Sequence, residues 1–148
     1  MGHRRRAREC ALQMLFQLDL TGSSVEDVFE EFWKDQNAED DVRDFAEQLV
    51  HGVLEHRTFL DGVVTASAEH WRIDRMAVVD RNVLRMGVYE LVCERDTPAV
   101  VVIDEAIEVA KKFGSVESGS FINGVLDDVR RRREGGELQG PGDGPASV

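Results

Sequence analysis

A chain of 148 residues, 42% apolar and 32% charged, is long enough to bury a core of its own without staples. No apolar run approaches the ~18 residues that a spanning helix needs. Glu9, Gln13, Gln17 and Asp19 break the stretch behind the opening arginines, so no secretory leader is read there. Two distant cysteines, Cys10 and Cys93, suggest neither a disulfide framework nor a zinc site and fit a reduced, cytoplasmic setting. The formal charge of −11 is unevenly laid. Residues 19–70 hold 14 acidic and 3 basic side chains, which accounts for all of it. Eight basic residues stand in two blocks, Arg4–Arg8 and Arg130–Arg133. Salt limits the reach of distant charges to ~8–10 Å, so a basic block can attract a polyanion to an acidic protein.

The predicted elements are helical from end to end. Ala7, Ala11, Met14, Leu15 and Leu18 make one apolar stripe of a first helix that reaches back to about Arg4 and stops at Thr21-Gly22. Ser24, followed by Asp27, opens a second helix to about Asp35. A third region runs from Asp40 or Asp41 towards His70 with a break near Gly52 or Glu55–Thr58, which makes two helices. From Arg75 to Arg95 the chain is apolar almost all round, as in a helix buried on several sides. Thr97 caps the next helix and Pro98 stands in its first turn; that helix carries Ile103, Ala106, Ile107 and Ala110 and stops at Gly114. Ser118 or Gly119 begins the last, with Phe121, Ile122, Val125, Leu126 and Val129 inward. The predicted fold is all-α, six or seven helices. Residues 135–148, rich in glycine and proline, read as a disordered tail.

Enzyme motifs are lacking: there is no phosphate-binding glycine loop, nucleophile elbow or H-E-x-x-H. His3, His51, His56 and His70 have no ligand spacing, so no metal or other cofactor is expected. At about 100° per residue, Arg5, Leu12 and Phe16 fall opposite the core stripe of the first helix. Either another helix covers them or they form a binding face, with arginine for phosphate and an aromatic ring for a base or partner side chain. Arg81, Arg85 and Tyr89 share a face and suit RNA or the bundle surface equally. Glu90 falls on the most apolar side of its helix, where a structural ion pair is the expected explanation.

The stretches RRRARECALQMLFQLD, DRNVLRMGVYEL, VVIDEAIEVAKKFGS and SFINGVLD, in that order and spacing, resemble the NusB transcription antitermination family over roughly residues 3 to 130. The resemblance implies two small helical bundles packed across each other, with subdomains of about 1–71 and 72–134. It implies a non-enzymatic protein that binds the boxA RNA of ribosomal RNA leader transcripts together with NusE, a small-subunit ribosomal protein. It also implies assembly into an RNA-polymerase-bound antitermination complex.

Carried over residue by residue, the family's RNA contacts match Arg4, Arg5, Arg6, Arg8, Phe16, Arg85 and Phe121. The NusE contacts match Phe16, Asp80, Glu117 and Phe121. Asp104 stands where asparagine is frequent, and Ser120 where some relatives carry lysine. Two other readings remain open. One is a helical adaptor without RNA binding that docks through the acidic 19–70 segment. The other is the detached RNA-binding domain of an RNA methyltransferase, which needs a catalytic domain outside this sequence. A face such as that around Phe16 can close a homodimer as readily as a heterodimer.

Overall fold

The structure is a computed structural model and describes residues 2–141. Among these residues it is helical without a strand, in seven α-helices: α1 (Gly2–Thr21), α2 (Val25–Lys34), α3 (Asp40–Glu55), α4 (Arg57–Ser67), α5 (Val78–Val88), α6 (Ala99–Phe113) and α7 (Ser118–Glu134). A short 3₁₀ turn, Ile73–Arg75, precedes α5, and a π-helical segment, Tyr89–Glu94, continues it.

The boundaries follow local chemistry. The Ser24 hydroxyl accepts a hydrogen bond from the Asp27 backbone N–H at 3.1 Å, and acids in the first turn of α2 and Lys34 in its last complement the helix dipole. A single residue, His56, separates α3 from α4. Pro98 takes the N-cap position of α6 rather than its first turn; it has no N–H to lose there. The π-helical segment closes at Arg95 in the left-handed region, with φ 65°. The helix expected from Arg75 to Arg95 is therefore α5 continued by the π-helical segment, running from Val78 to Glu94.

Helices α1, α2 and α3 pack together, as do α5, α6 and α7. Helix α4 lies chiefly on α5 and α7, and α1 lies on α5 and α6 as well as on its own group. The first helix is thus enclosed on several sides, and of the two readings of its outer face the covering helix holds at Leu12. Leu12 is buried at 1% exposure, while Phe16, one turn on, keeps 37%. Two glycines permit close approach: the Tyr89 ring occupies the space a Cβ at Gly52 would need, and the Leu126 side chain lies 2.7 Å from one at Gly87. Part of the expected tail is laid against the protein, with Leu138 buried; 142–148 lie outside the described residues.

Candidate nucleic-acid and partner interface

Helical geometry sends the four opening arginines in different directions, and each meets a different environment. The exposed Arg4 lies over the Phe45 ring at 3.8 Å, a cation–π contact. Arg6 donates to the Asn37 carbonyl at 3.1 Å and to Gln36 Oε1 at 3.3 Å. Neither forms an ion pair among the described residues. Arg5 donates from Nε and Nη2 to the two carboxylate oxygens of Glu105 on α6, at 2.9 and 2.8 Å. Glu105 is held below the ordinary glutamate range, chiefly by the hydrogen bond from Arg5.

Arg8 is different again. Its Nε and Nη2 each donate to Glu90 at 2.8 Å, and both side chains are buried, at 5% and 2% exposure. The structural pair expected for Glu90 is present, and the expectation that Arg8 meets RNA is corrected by its burial. An isolated buried charge is costly, and each of these groups is the other's compensation. The π-helical segment that carries Glu90 brings it to α1.

Arg85 also departs from expectation. It is 4% exposed and donates to both oxygens of Asp61 at 2.7 and 3.2 Å, and from Nη1 to Asp19 at 3.2 Å. Arg81 and Asn82 donate to the same Asp19 oxygen at 2.8 and 3.0 Å. Burial would push the Asp19 carboxyl up; the hydrogen bonds from Arg81 and Asn82 and the two arginine charges outweigh it and hold it at about 2. Arg85 is therefore a hub joining α1, α4 and α5, not a surface contact. Tyr89, read on the same face, is half-buried and stacks on His56.

A second constellation gathers around the starts of α5 and α7. Asp80 accepts a hydrogen bond from the buried Ser118 hydroxyl at 2.7 Å. Glu117 occupies the N-cap position of α7 and is exposed. Asp80, Glu117 and Phe121 line one cavity of about 350 Å³ together with Arg75, Met76, Ala77 and Trp71. Trp71 is 56% exposed and meets the Phe121 ring edge-on at 5.8 Å between centroids. Sequence reasoning passed over Trp71. An exposed tryptophan just before the Ile73–Arg75 turn is the signal that marks it. Phe16 does not line this cavity. It lies on α1 one turn before Asp19, whose partner Arg81 adjoins Asp80.

The remaining candidates are accounted for locally. Arg130 and Arg131 pair with Asp127, Asp128 and Glu134 on their own helix, and Arg132 donates to Ser67. His3 stands between two acids, with Nε2 2.6 Å from Glu39 and Nδ1 2.7 Å from Asp41. These three residues could by position hold an ion. The acids face opposite ring nitrogens, however, which suits an imidazolium rather than a chelated metal. The hydrogen bond and charge of Asp41, with the charge of Glu39, raise the His3 pKa above its ordinary value.

The fold and these surfaces define a helical protein whose marked features are non-covalent: a partly engaged basic helix start and a mainly apolar aromatic cavity with charged residues among its lining. No helix among the described residues is long and apolar enough to cross a membrane. Comparison with known proteins makes the class particular. The NusB family profile matches residues 5–131, and the chain belongs to that family. The transcription antitermination protein NusB of Anaeromyxobacter dehalogenans (strain 2CP-1 / ATCC BAA-258) is 52% identical over 127 residues, covering 85% of this chain and 89% of that protein. The solved structure of T. maritima NusB superposes with a TM-score of 0.81 at 37% identity, over 91% of this chain and 97% of that one. A crystal structure of antitermination factors NusB and NusE in complex with dsRNA matches with a TM-score of 0.81 at 30% identity, over 88% of this chain and 98% of that chain.

Proposed function

We propose that this protein is a transcription antitermination factor of the bacterial cytoplasm, acting by binding and not by chemistry. It holds boxA RNA through α1, docks a NusE protein near the starts of α5 and α7, and so joins an RNA-polymerase-bound assembly. The observation that carries this reading is the convergence of Asp80, Glu117 and Phe121, far apart in sequence, on one cavity beside the exposed Trp71. Aromatic anchors within a polar rim are what a protein partner's hot spot requires.

Arg4 and Arg6 are the α1 arginines without a carboxylate partner, and they are the phosphate contacts of this proposal. Phe16 supplies a half-exposed ring for a base or for NusE. Arg8 and Arg85 support it from within by fixing α1 against α4, α5 and the π-helical segment. Residues 1–134 act as a single binding unit.

The test is titration of single-stranded boxA RNA, and of a duplex control, at several salt concentrations with and without NusE. Arg4→Ala with Arg6→Ala should weaken binding and flatten the slope of log K against log salt by about 1.4, since each phosphate neutralised on a single strand contributes ~0.7. Unchanged slope and affinity would reject α1 as the RNA element. An adaptor without RNA binding would bind NusE alone.

A further inference from the structure

Of the two bidentate arginine pairs on α1, one is partly exposed and the other is buried. Arg8–Glu90 is sealed, and separating it leaves an unpaired charge inside the protein. Arg5–Glu105 lies at the surface, with the Arg5 side chain 41% and Glu105 20% exposed. The Arg5 side chain is open enough to solvent for another anion to reach its guanidinium and exchange with Glu105. The exchange partner is defined by geometry. The Nε–Nη2 edge of a guanidinium is a planar fork that fits a carboxylate or a phosphate in the same way. Glu105 fills that edge completely, with bonds of 2.9 and 2.8 Å. It reaches Arg5 from α6, across 100 residues of sequence, so the pair joins two separate helices.

We propose that Glu105 is a built-in competitor for the phosphate of a bound RNA at Arg5, a brake on the RNA-binding arm. The proposal rests on α1 being an RNA-binding element. At rest α1 then offers two cations without a carboxylate partner among the described residues, Arg4 and Arg6. The third, Arg5, becomes a phosphate ligand only when RNA takes the fork from Glu105. The displaced carboxylate then stands near the phosphate and opposes it. The brake sets affinity low enough for release and makes tight binding depend on a phosphate placed at Arg5.

The experiment uses the full chain and a short single-stranded boxA RNA, followed by fluorescence anisotropy over a salt series. Glu105→Gln keeps the shape and one acceptor oxygen but removes the charge. It should bind RNA roughly three- to tenfold more tightly at low salt, from the like charge removed. Its slope of log K against log salt should match that of the natural chain, since Arg5 holds the same phosphate in both complexes. In an Arg5→Ala background, Glu105→Gln should change neither quantity. Thermal melts of each variant report the fold separately. Unchanged or weaker binding by Glu105→Gln in a folded protein overturns the brake while leaving α1 as the RNA element. Tighter binding that persists without Arg5 also overturns it, because the effect is then general charge and not competition for a fork. If no variant, including the natural chain, binds the RNA, the brake and the RNA reading fall together.

Discussion

The opening of α1 and the cavity between α5 and α7 reach function by opposite routes. On α1 the relevant residues are adjacent in sequence, and folding separates them: Arg8 goes inside to Glu90, Arg5 is engaged by Glu105, and Arg4 and Arg6 keep no ion pair among the described residues. At the cavity the relevant residues are spread from Trp71 to Phe121, and folding collects them. A run of like residues is thus a poor guide to a run of like roles. A helix turns about 100° per residue, so neighbours in sequence face different partners. Residues on separate helices converge only where packing brings those helix starts together.

The contrast breaks most severely at Arg8. If it is structural, Arg8→Ala leaves Glu90 buried and unpaired, which costs about 3–5 kcal/mol. A chain of this size should then melt lower by about 10 °C or more. Differential scanning calorimetry of Arg8→Ala beside Arg4→Ala, which should melt like the natural chain, separates interior from exterior arginine. Equal melting temperatures would mean that Arg8 is not the buried member.

A middle-sized effect is expected at the cavity. Trp71 is exposed and Phe121 half-buried, so Trp71→Ala should spare the fold and cost about 2 kcal/mol in NusE binding if the ring anchors the partner. Calorimetric titration with NusE, run against Phe16→Ala, shows which ring belongs to the partner site. If Trp71→Ala leaves NusE affinity intact while Phe16→Ala removes it, the docking surface lies along α1 and the cavity is incidental.

The smallest effect concerns the proton clamp at the start of α1. The folded pKa of His3 is raised, mainly by its hydrogen bond to Asp41 and by the charges of Asp41 and Glu39. Its contribution is therefore fully present below the ordinary histidine value of about 6.5 and is lost as pH rises through the raised folded value. Hydrogen exchange of the first turn of α1 should quicken over that range beyond the ordinary chemical increase. His3→Gln should remove this extra pH dependence and leave global melting unchanged. An identical pH profile in His3→Gln would show that the clamp does not form.

Much of the architecture was legible because it follows from local physics. Ser24 caps α2 as its spacing with Asp27 implies, and the chain breaks between α3 and α4 within the expected window. The interior ion pair of Glu90 was legible as a need, since a carboxylate on an apolar face must be compensated. Its partner was not. Arg8 reads as one more member of a surface block until a helix 82 residues away supplies the carboxylate. Leu12 stays ambiguous in the sequence for a related reason. A helical wheel assumes one wet side, and α1 is covered on several by α2, α3, α5 and α6.

The amino-acid sequence by itself determined the helical class, most helix limits, the acidic-body and basic-end polarity, and membership of a family whose motifs lie along the chain. Capping, periodicity and charge distribution act over a few residues and are written where they operate. Only the tertiary structure decided which arginines are held inside, that Arg85 is the hub joining Asp19 and Asp61, and that Trp71 closes over Phe121. Those outcomes depend on which helices pack against which. The burial that sets the cost of a charge, and the partner that compensates it, exist only once the chain has closed on itself.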